Sequence, residues 1–341
     1  MSNRLPHVSV GLAVYNGENF IKEAIDSILT QTFEDFELII SDNASTDKTQ
    51  EICLDYAAKD QRIRYYRNDR NLGAAWNQNR VFELSTGTYF KLAAHDDVIA
   101  PEYLAKCVEA LDQNPDVVLC HSWTRTINEQ GETLEEQGDG SFIPSSSKLK
   151  QFVKRMVSPL LGDGKMHITS PKPRERFRSW VCTHNNCYQI FGLMRRSVLE
   201  YPLWGNYGHA DGVFLAKLSL VGPFYEIPEY LFSVRKHAQQ SDRLHRRKDG
   251  RQDFNRYAIW WDPDNQGRIM IPRWKIFSEY WKAISEAPIS LYDRGWCYFD
   301  TLRWLRGSSL VLADEAVTAA RQLLSSSLKS SNPNVSADDS A

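Results

Sequence analysis

Short apolar runs alternate with helix-like periodic segments along the first 122 residues of the chain. A short continuous apolar run is typical of a strand buried on both faces, whereas apolar residues at every third or fourth position indicate a helix with one buried side. The runs predict five strands, at residues 8–14, 36–40, 63–66, 89–93 and 117–120. The segments between them predict four helices, at residues 21–29, 47–56, 74–84 and 101–111.

Strands that alternate with helices form parallel sheets, because each crossover helix returns the chain to the same edge of the sheet. The pattern therefore predicts an α/β fold with a mainly parallel, Rossmann-like sheet flanked by helices. In such sheets ligands bind beyond the carboxyl ends of the strands. Polar residues follow three of the predicted strands: Tyr15 and Asn16 the first, Asp42 and Asn43 the second, and Asp96 and Asp97 the fourth. We expect these three strand ends to face one binding site.

The second half of the chain has a weaker pattern. Residues 128–178 are rich in Gly, Ser, Pro and charged residues, which predicts loops and short helices over the rim of the sheet, as a lid or an acceptor-binding region. Order returns in strands predicted at 187–194 and 224–234, a helix at 211–220, and aromatic-rich helices at 274–285, 291–306 and 314–327. From Lys329 onward the composition is typical of disorder.

The composition narrows the class of protein. The chain of 341 residues is 42% hydrophobic and 25% charged, as in ordinary globular proteins. Its net charge of -2 gives no reason to expect a nucleic-acid partner. The first residues lack the pattern of a signal peptide, and no segment has the ~20 apolar residues that cross a bilayer. We expect a cytoplasmic protein whose contact with the inner membrane face is peripheral at most.

Two clusters elsewhere each allow two interpretations. The basic residues between 246 and 251 form a solvated surface, or they contact anionic lipid or a glycan carrier. The 6 cysteines are scattered without the spacing of a disulfide framework, which predicts reduced thiols. Cys182, His184 and Cys187 are alternative zinc ligands, but three candidates at irregular spacing fall short of the four ligands that structural zinc takes.

The apolar run YFKLA ends in His95, Asp96 and Asp97. Two adjacent carboxylates repel each other and lose hydration when they are buried, so their burial requires a compensating partner. A divalent cation bound to a diphosphate is such a partner. The alternative is a pair of loop aspartates before a helix, where Asp is common.

Two long stretches carry a family resemblance. They are PHVSVGLAVYNGENFIKEAIDSILTQTFEDFELIISDNASTDKT near the N-terminus and NLGAAWNQNRVFELSTGTYFKLAAHDD after it. They resemble the opening of glycosyltransferase family 2, strongly over residues 7–115 and more weakly over 185–242. The resemblance implies the GT-A fold and an inverting hexosyltransferase of polysaccharide biosynthesis. Its donor is a nucleotide-diphosphate sugar, with UDP favoured over dTDP and GDP, and its acceptor is a saccharide or a lipid-linked saccharide.

The same resemblance implies donor contacts after the first strand. Ala13 and Tyr15 match residues that line the nucleotide pocket, and Glu18 matches an acidic residue that approaches the base or the phosphates. Core packing is the alternative explanation for Tyr15, but its position at a strand end favours a ligand contact.

Further donor contacts are implied after the second and third strands. Asp42, in SDNASTD, matches the carboxylate that binds the ring N–H of the nucleobase. Asn71 and Asn77 match the loop and helix near the donor, and each is either a ligand contact or a loop-forming residue. Asp47 is better explained as a helix cap.

The metal site departs from the family pattern. Asp96 and Asp97 match a motif that is usually Asp-x-Asp, but Ala94 stands where the first carboxylate is expected. Asp96 is then the main expected ligand of Mn or Mg, and Asp97 a second ligand or an orienting residue. His237, in VRKHAQQS, completes the metal shell, donates to phosphate, or does neither. Arg235 in the same segment is expected to contact the diphosphate.

The resemblance also implies a general base. Asp211, in GHADGVFLAKLSLVGPF, matches the family's acidic base at the start of a helix, and an Asp near the acceptor hydroxyl can accept its proton. An ordinary helix N-cap is the alternative. The implied domains are a GT-A domain at 1–240, with a nucleotide-binding half at 1–122 and an acceptor-side half at 123–240, a helical extension at 241–328 and a tail at 329–341.

Two other functions were compared with this one. A nucleotidyltransferase would carry a glycine-rich, basic phosphate loop after the first strand, whereas AVYNGEN has one Gly and no basic residue before Lys22. A silent glycan-binding protein is consistent with Ala94, but Asp42, Asp96 and Asp211 together argue against it. The sugar, the acceptor and the oligomeric state do not follow from the sequence.

Overall fold

The computed structural model describes residues 5–134, 166–183, 186–240 and 253–330, and a mixed sheet forms the centre of this part of the chain. The described strands are β1 (Val8–Val14), β2 (Phe36–Asp42), β3 (Ile63–Arg67), β4 (Tyr89–Ala93), β5 (Val98–Ile99), β6 (Leu119–Ile127), β7 (Leu193–Arg195) and β8 (Phe224–Arg235). The described helices are α1 (Ile21–Leu29), α2 (Thr49–Lys59), α3 (Ala74–Glu83), α4 (Tyr103–Gln113), α5 (Pro173–Cys182), α6 (Ala210–Val221), α7 (Phe254–Trp261), α8 (Pro272–Glu286), α9 (Leu291–Gly307) and α10 (Ser309–Ser330).

The eight described strands lie in the order β3-β2-β1-β4-β7-β6-β8-β5. β3, β2, β1 and β4 are parallel to one another, and β6 is parallel to β8. β7 is antiparallel to β4 and β6, and β5 is antiparallel to β8. The carboxyl ends of the parallel strands therefore meet at one edge of the sheet.

Helices pack closely on both faces of this sheet. Every side chain of β2 and β4 is buried. Gly11 of β1 allows α3 to approach, because a Cβ at this position would lie 2.8 Å from the side chain of Val81. One apolar core contains Ile25 of α1 and Leu104 of α4, and the other contains Val81 and Leu215 of α6. The apolar runs of the sequence thus form the middle layer of a three-layer molecule.

The alternation predicted for the first 122 residues is confirmed, since all five strands and all four helices form there. Their ends differ by a few residues. β2 includes Asp42, β6 is longer than predicted, and α2 begins at Thr49. Asp47 is not the N-cap residue, although its Oδ1 accepts a hydrogen bond from the N–H of Thr49 at 3.0 Å.

The second half departs further from the prediction. The predicted strand at 187–194 is wrong over most of its length, because a 3₁₀ turn, Tyr188–Phe191, precedes the short strand β7. Cys187, at the start of this turn, has φ 55, a left-handed conformation that interrupts an extended strand. The helices α5 and α7 were not predicted as separate elements. Pro173 begins α5, at a position where the missing N–H of Pro is tolerated.

Some predicted features fall outside the described residues. These are most of the region at 128–178, the basic run at 246–251, His184 of the zinc alternative, and residues 331–341 of the predicted tail. α10 continues to Ser330, so the helix extends past the predicted start of the tail. Of the helices in the described ranges, none has the length and apolar character that a membrane span requires.

The C-terminal helices share the core of the sheet. Ile284 of α8 and Cys297 of α9 are buried in the same cluster as the apolar face of α6. Asp300 of α9 is completely buried, and its carboxylate accepts hydrogen bonds from Arg178 of α5 and from Arg303, both at 2.9 Å. This pairing fixes α9 against α5.

Candidate functional site

The loops that follow β1 and β2 are bonded to each other at the carboxyl edge of the sheet. The N–H of Asn16 donates to Oγ of Ser45 at 2.9 Å, and the N–H of Glu18 donates to Oδ2 of Asp47 at 3.0 Å. In return, the carboxylate of Glu18 accepts from the N–H of Lys48 at 3.0 Å, just before α2. These reciprocal bonds hold both loops in one arrangement before any ligand binds.

Three residues predicted to meet the nucleotide lie along this edge. Ala13 is half-buried and packs against the apolar core. Tyr15 is 43% exposed, so the structure does not use it for core packing. Glu18 is exposed, but one of its carboxylate oxygens is occupied by the N–H of Lys48. Their contact with a ligand remains a prediction.

Asp42 is completely buried at the end of β2, and its carboxylate holds three neighbours. Oδ2 accepts from the Tyr65 hydroxyl at 2.7 Å and from the Arg67 guanidinium at 2.5 Å. Oδ1 accepts from the N–H of Ser45 at 2.8 Å. A carboxylate offers about four acceptor positions, which leaves one for the predicted nucleobase N–H.

The two predicted asparagines support the same edge from α3 and the loop before it. Asn77 is buried, accepts from Oγ of Ser41 at 2.7 Å and donates to the carbonyl of Ser41 at 2.8 Å. Asn71 accepts from the amide of Asn43 at 2.8 Å and from the N–H of Gly73 at 2.9 Å. The bonds of Asn71 agree with its loop-forming interpretation, whereas those of Asn77 fasten α3 to β2; the contact of both residues with a donor remains a prediction.

The ends of β4 and β8 bring a carboxylate and an imidazole together. Nε2 of His237 lies 2.8 Å from Oδ2 of Asp96, and His237 is 4% exposed. Burial on its own would raise the pKa of Asp96, but the nearby His95 and the hydrogen bond with His237 outweigh it and hold that pKa below its ordinary value. Asp96 is therefore an ionised carboxylate at neutral pH.

Asp97 and Arg235 fasten the end of β8 to the loop after β4. Oδ1 of Asp97 accepts from the N–H of Arg235 at 2.9 Å, while burial and repulsion from Asp96 raise the pKa of Asp97 well above its ordinary value. Arg235 is 0% exposed. Its guanidinium donates to four acceptors, which are the carbonyls of Asp96, Asn128 and Glu129 and the carboxylate of Glu23. The predicted phosphate contact of Arg235 therefore involves a cation already enclosed by protein oxygens.

The three predicted metal residues are not equivalent. Asp96 and His237 present an oxygen and a nitrogen to each other, a donor pair that suits Mn²⁺. Asp97 is bonded to the backbone of β8 instead. Within the described ranges, no three His, Cys, Asp or Glu side chains converge on a point where a metal could bind. Asp96 and His237 could thus supply two of the ligands of a divalent cation.

Asp211 lies in the first turn of α6. Its Oδ1 accepts from the N–H of Gly212 at 2.8 Å, and Oδ2 accepts no hydrogen bond from the described residues. His209, which is the N-cap residue, has φ 64, so the chain enters the helix through a left-handed turn. Asp211 is therefore not the N-cap, and one of its oxygens is left to accept a proton.

A short turn connects Asp211 with the Asp96–His237 pair. Sγ of Cys187 lies 3.7 Å from the position that a Cβ on Gly212 would occupy. The next residue, Tyr188, accepts a hydrogen bond from Nζ of Lys236 at 3.3 Å, and Lys236 directly precedes His237. The helix that carries Asp211 and the segment after β8 that carries His237 therefore contact the same turn.

Some residues of this site were missed by the sequence interpretation. Arg67 follows the same strand-end rule that identified Asp42, because it ends β3, and it could have been found in that way. Glu23 and Phe20 gave no signal. Glu23 pairs with Arg235 across 212 residues, and the ring of Phe20 lies 4.7 Å from that of His237.

Comparison with known proteins gives a consistent result. The model of the family described as Glycosyl transferase family 2 matches residues 9–201. An uncharacterized glycosyltransferase of Methanocaldococcus jannaschii is 37% identical over 151 residues, which are 44% of this chain and 50% of that protein. One from Haemophilus influenzae is 29% identical over 244 residues, 70% of this chain and 68% of that protein. The chain thus spans about half the length of the M. jannaschii relative.

Two solved structures share the fold at low identity. Residues 1-349 of Staphylococcus aureus TarS, in complex with UDP-GlcNAc, have a TM-score of 0.54 and 14% identity over 87% of this chain and 72% of that one. A mannosyltransferase of Pyrobaculum calidifontis, in complex with GDP-Man and Mn²⁺, has a TM-score of 0.50 and 17% identity over 97% of this chain and 82% of that one.

Proposed function

The chain belongs to glycosyltransferase family 2 and has the GT-A fold, and from this we propose that it transfers a hexose, with inversion, from a nucleotide-diphosphate sugar to a saccharide or a lipid-linked saccharide. The proposed donor carries UDP. The mannosyltransferase and TarS structures contain GDP-Man and UDP-GlcNAc respectively, which supports a nucleotide sugar as the class of donor.

In the proposed donor complex, the nucleoside lies over the bonded loops after β1 and β2. Tyr15 is exposed there, and the buried carboxylate of Asp42 retains one acceptor position for a ring N–H. Tyr65 and Arg67 orient that carboxylate. Because these contacts exist without the ligand, little rearrangement is needed when the nucleoside binds.

The diphosphate would lie beside Asp96 and His237. When bound there, a divalent cation would neutralise the charge that develops on the leaving diphosphate. The ring of Phe20 packs against that of His237, and the guanidinium of Arg235 donates to the carbonyl of Asp96. These two contacts keep the pair in position. Arg235 therefore acts in this proposal as a positioning residue, through the backbone of Asp96.

Asp211 would act as the general base. The acceptor hydroxyl oxygen forms a bond to the anomeric carbon as the bond from that carbon to the diphosphate oxygen breaks. The hydroxyl proton moves to Oδ2 of Asp211, and the electron pair of the broken bond leaves with the diphosphate. The oxygen that accepts no other hydrogen bond is the one available for this proton.

The observation that carries the proposal is the pairing of Asp96 with His237 at the edge where the carboxyl ends of the parallel strands meet. The test is a panel of UDP-, GDP- and dTDP-sugars, with and without Mn²⁺, measured by thermal unfolding and by release of the nucleotide. We expect one donor to raise the Tm when Mn²⁺ is present. At a donor concentration of 100 Kd, binding should add about 2.7 kcal/mol to the free energy of unfolding. A panel in which no nucleotide sugar changes the Tm would contradict the proposal.

A further inference from the structure

A cavity lies beside an irregularity in the pairing of β6 with β8. The pairing between these strands shifts on both sides of Trp123, because Ser122 faces Ile227 whereas Trp123 faces Tyr230. The cavity beside this irregularity has a volume of about 330 Å³. Irregularities of this kind change the direction of side chains and are common next to functional sites. None of the residues assigned to the donor, the cation or the base lines this cavity.

Aromatic rings form a large part of the cavity wall. Trp123 is 42% exposed and Tyr230 is 51% exposed, and their ring centroids lie 5.3 Å apart at an angle of 59°. Large aromatic rings are usually buried in the core of a protein or in an interface, whereas these two are exposed to solvent. Two such rings at one concave surface indicate a ligand with an apolar face.

A carboxylate and a histidine supply the polar part of the wall. Glu226 accepts from the indole N–H of Trp123 at 3.2 Å, and its other oxygen lies 3.9 Å from Nε2 of His121. His121 is 5% exposed, and this Nε2 has no hydrogen-bond partner among the described residues. Burial lowers the pKa of His121, so the ring is neutral at pH 7. A buried nitrogen without a partner is rare in proteins and indicates a bound hydroxyl group or water.

The charge of the wall limits the chemistry of the ligand. The cavity has Gln189, Tyr188 and Glu226 on its wall, but no Lys or Arg among the described residues that line it. Among the described lining residues the one ionised group is the carboxylate of Glu226, which repels a phosphate or a carboxylate; Lys236 and Arg125 contact Tyr188 and Tyr230 but do not line the cavity. A pyranose ring has hydroxyl groups on its edge and apolar C–H groups on its faces, which match the carboxylate, the imidazole and the aromatic rings.

We propose that this cavity is a distal acceptor subsite, in which a neutral pyranose ring packs on Trp123 and Tyr230 and donates hydroxyl hydrogens to Glu226 and His121. The assignment of this sugar to the acceptor rests on the proposed function. The position agrees with it, because Tyr188 on the cavity wall accepts a hydrogen bond from Lys236, next to His237. From Tyr230 to Arg235 the strand advances about 16 Å, at about 3.3 Å per residue. The bound ring would thus lie several sugars away from the point of transfer.

The test is saccharide binding to the full chain without donor or metal. The probes are four neutral trisaccharides, cellotriose, maltotriose, chitotriose and mannotriose, measured by titration calorimetry and saturation-transfer NMR. We expect at least one to bind, and we expect Trp123→Ala to weaken it at least tenfold and Glu226→Gln at least threefold. Tyr225→Ala is the matched control, because Tyr225 is 38% exposed on the same strand but does not line the cavity, and its affinity should stay within twofold.

Three results decide between the alternatives. Binding that disappears in Trp123→Ala, with circular dichroism unchanged, supports the subsite, and Glu226→Gln provides the same test should Trp123→Ala not fold. Absence of binding by all four probes at 20 mM, or equal binding by wild type and both variants, would overturn it. The binding experiment contains no donor, so its result is independent of the nucleotide-sugar panel. A chain that binds a trisaccharide through Trp123 but reacts with no nucleotide sugar in that panel would support the saccharide site and overturn the proposed function.

Discussion

The imidazole of His237 lies 2.8 Å from the carboxylate of Asp96, although 141 residues separate them in the chain. The contact depends on β8, whose last residue, Arg235, bonds to Asp97 through its backbone and to the carbonyl of Asp96 through its side chain. The paired aspartates after β4 are thus oriented by a distant strand. Four predictions follow from this site and from the core beneath it.

Replacement of Asp96 by Ala should remove the effect of Mn²⁺ on donor binding. The variant loses the ionised oxygen ligand and leaves His237 without its partner, so we expect the Kd for the nucleotide sugar in the presence of Mn²⁺ to rise at least tenfold. Without the metal, the variant and the wild type should bind alike. Titration calorimetry with and without Mn²⁺ measures both values.

Asp116→Ala provides the control for that experiment, because Asp116 is an exposed carboxylate between α4 and β6, at the opposite edge of the sheet. Its affinity and metal dependence should equal those of the wild type. If Asp96→Ala kept the full response to Mn²⁺, Asp96 would not be a metal ligand.

Replacement of Asp211 by Asn should abolish transfer and leave donor binding intact. The amide keeps the size of the side chain and can still accept from the N–H of Gly212, but it cannot take a proton. We expect kcat to fall by roughly 10²–10⁴, the usual contribution of a general base, with the donor Kd within about threefold of that of the wild type. Nucleotide release with a panel of acceptors gives kcat.

A control at another acidic residue in the first turn of a helix distinguishes a loss of catalysis from a loss of helix stability. Glu175→Gln in the first turn of α5 makes the same chemical change at another helix terminus, and it should leave kcat unchanged. A normal kcat for Asp211→Asn would show that Asp211 is not the base.

Replacement of Arg235 by Gln should mainly destabilise the fold. Arg235 is fully buried with four acceptors, so the change leaves buried carbonyls and Glu23 without their donor. We expect the free energy of unfolding to fall by about 3–5 kcal/mol, as when a buried charge pair is broken. Glu23→Gln should cost about 1 kcal/mol or less, because Glu23 is half-exposed. Urea unfolding measures both, and an unchanged stability of Arg235→Gln would favour a direct phosphate role instead.

The buried Lys91 should make the free energy of unfolding increase with pH in the alkaline range. Lys91 is 1% exposed in β4, and burial lowers its pKa to about 8 from 10.5. Between these two values the unfolded chain holds more protons than the folded one, so the free energy of unfolding rises with pH. Relative to Lys91→Met, the wild type should gain about 3 kcal/mol in total, at about 1.36 kcal/mol per unit of pKa shift.

Urea unfolding of the wild type and Lys91→Met at several pH values between 7 and 11 measures this difference. Other titrating groups are common to both proteins, so their contributions cancel in the comparison. A difference that stays constant over that interval would mean that burial does not lower the pKa of Lys91 in the folded state.

Local pattern was sufficient to predict the first half of the fold. β1 and β4 match their predicted ranges, because both are buried on both faces and most of their residues are apolar. The same reasoning placed Asp42 and Asp96 on one edge, since parallel strands end there together. Residues 187–194 were predicted as one strand because CYQIFGLM has a strand-like composition. The left-handed conformation of Cys187, which precedes the 3₁₀ turn, leaves no mark in the sequence.

Pairings between distant residues could not be predicted in this way. The phosphate contact of Arg235 remains a prediction, whereas the acceptors of its guanidinium come from α1, the loop after β4 and the loop after β6, which only the folded chain brings together. The cavity beside Trp123 likewise depends on a shift in strand pairing, and the alternation of residues in β8 gives no sign of it beyond Pro228.

The helices after residue 253 have a further consequence for how this chain is divided. Lys217 of α6, the helix that begins beside Asp211, is paired with Glu279 of α8 at 2.8 Å, and Ile284 and Trp261 fill the core beneath it. A truncated chain that ended at residue 240 would expose this apolar surface and lose the wall behind the proposed base. An exchange of the C-terminal segment between relatives would therefore alter the packing of α6 and the surroundings of Asp211.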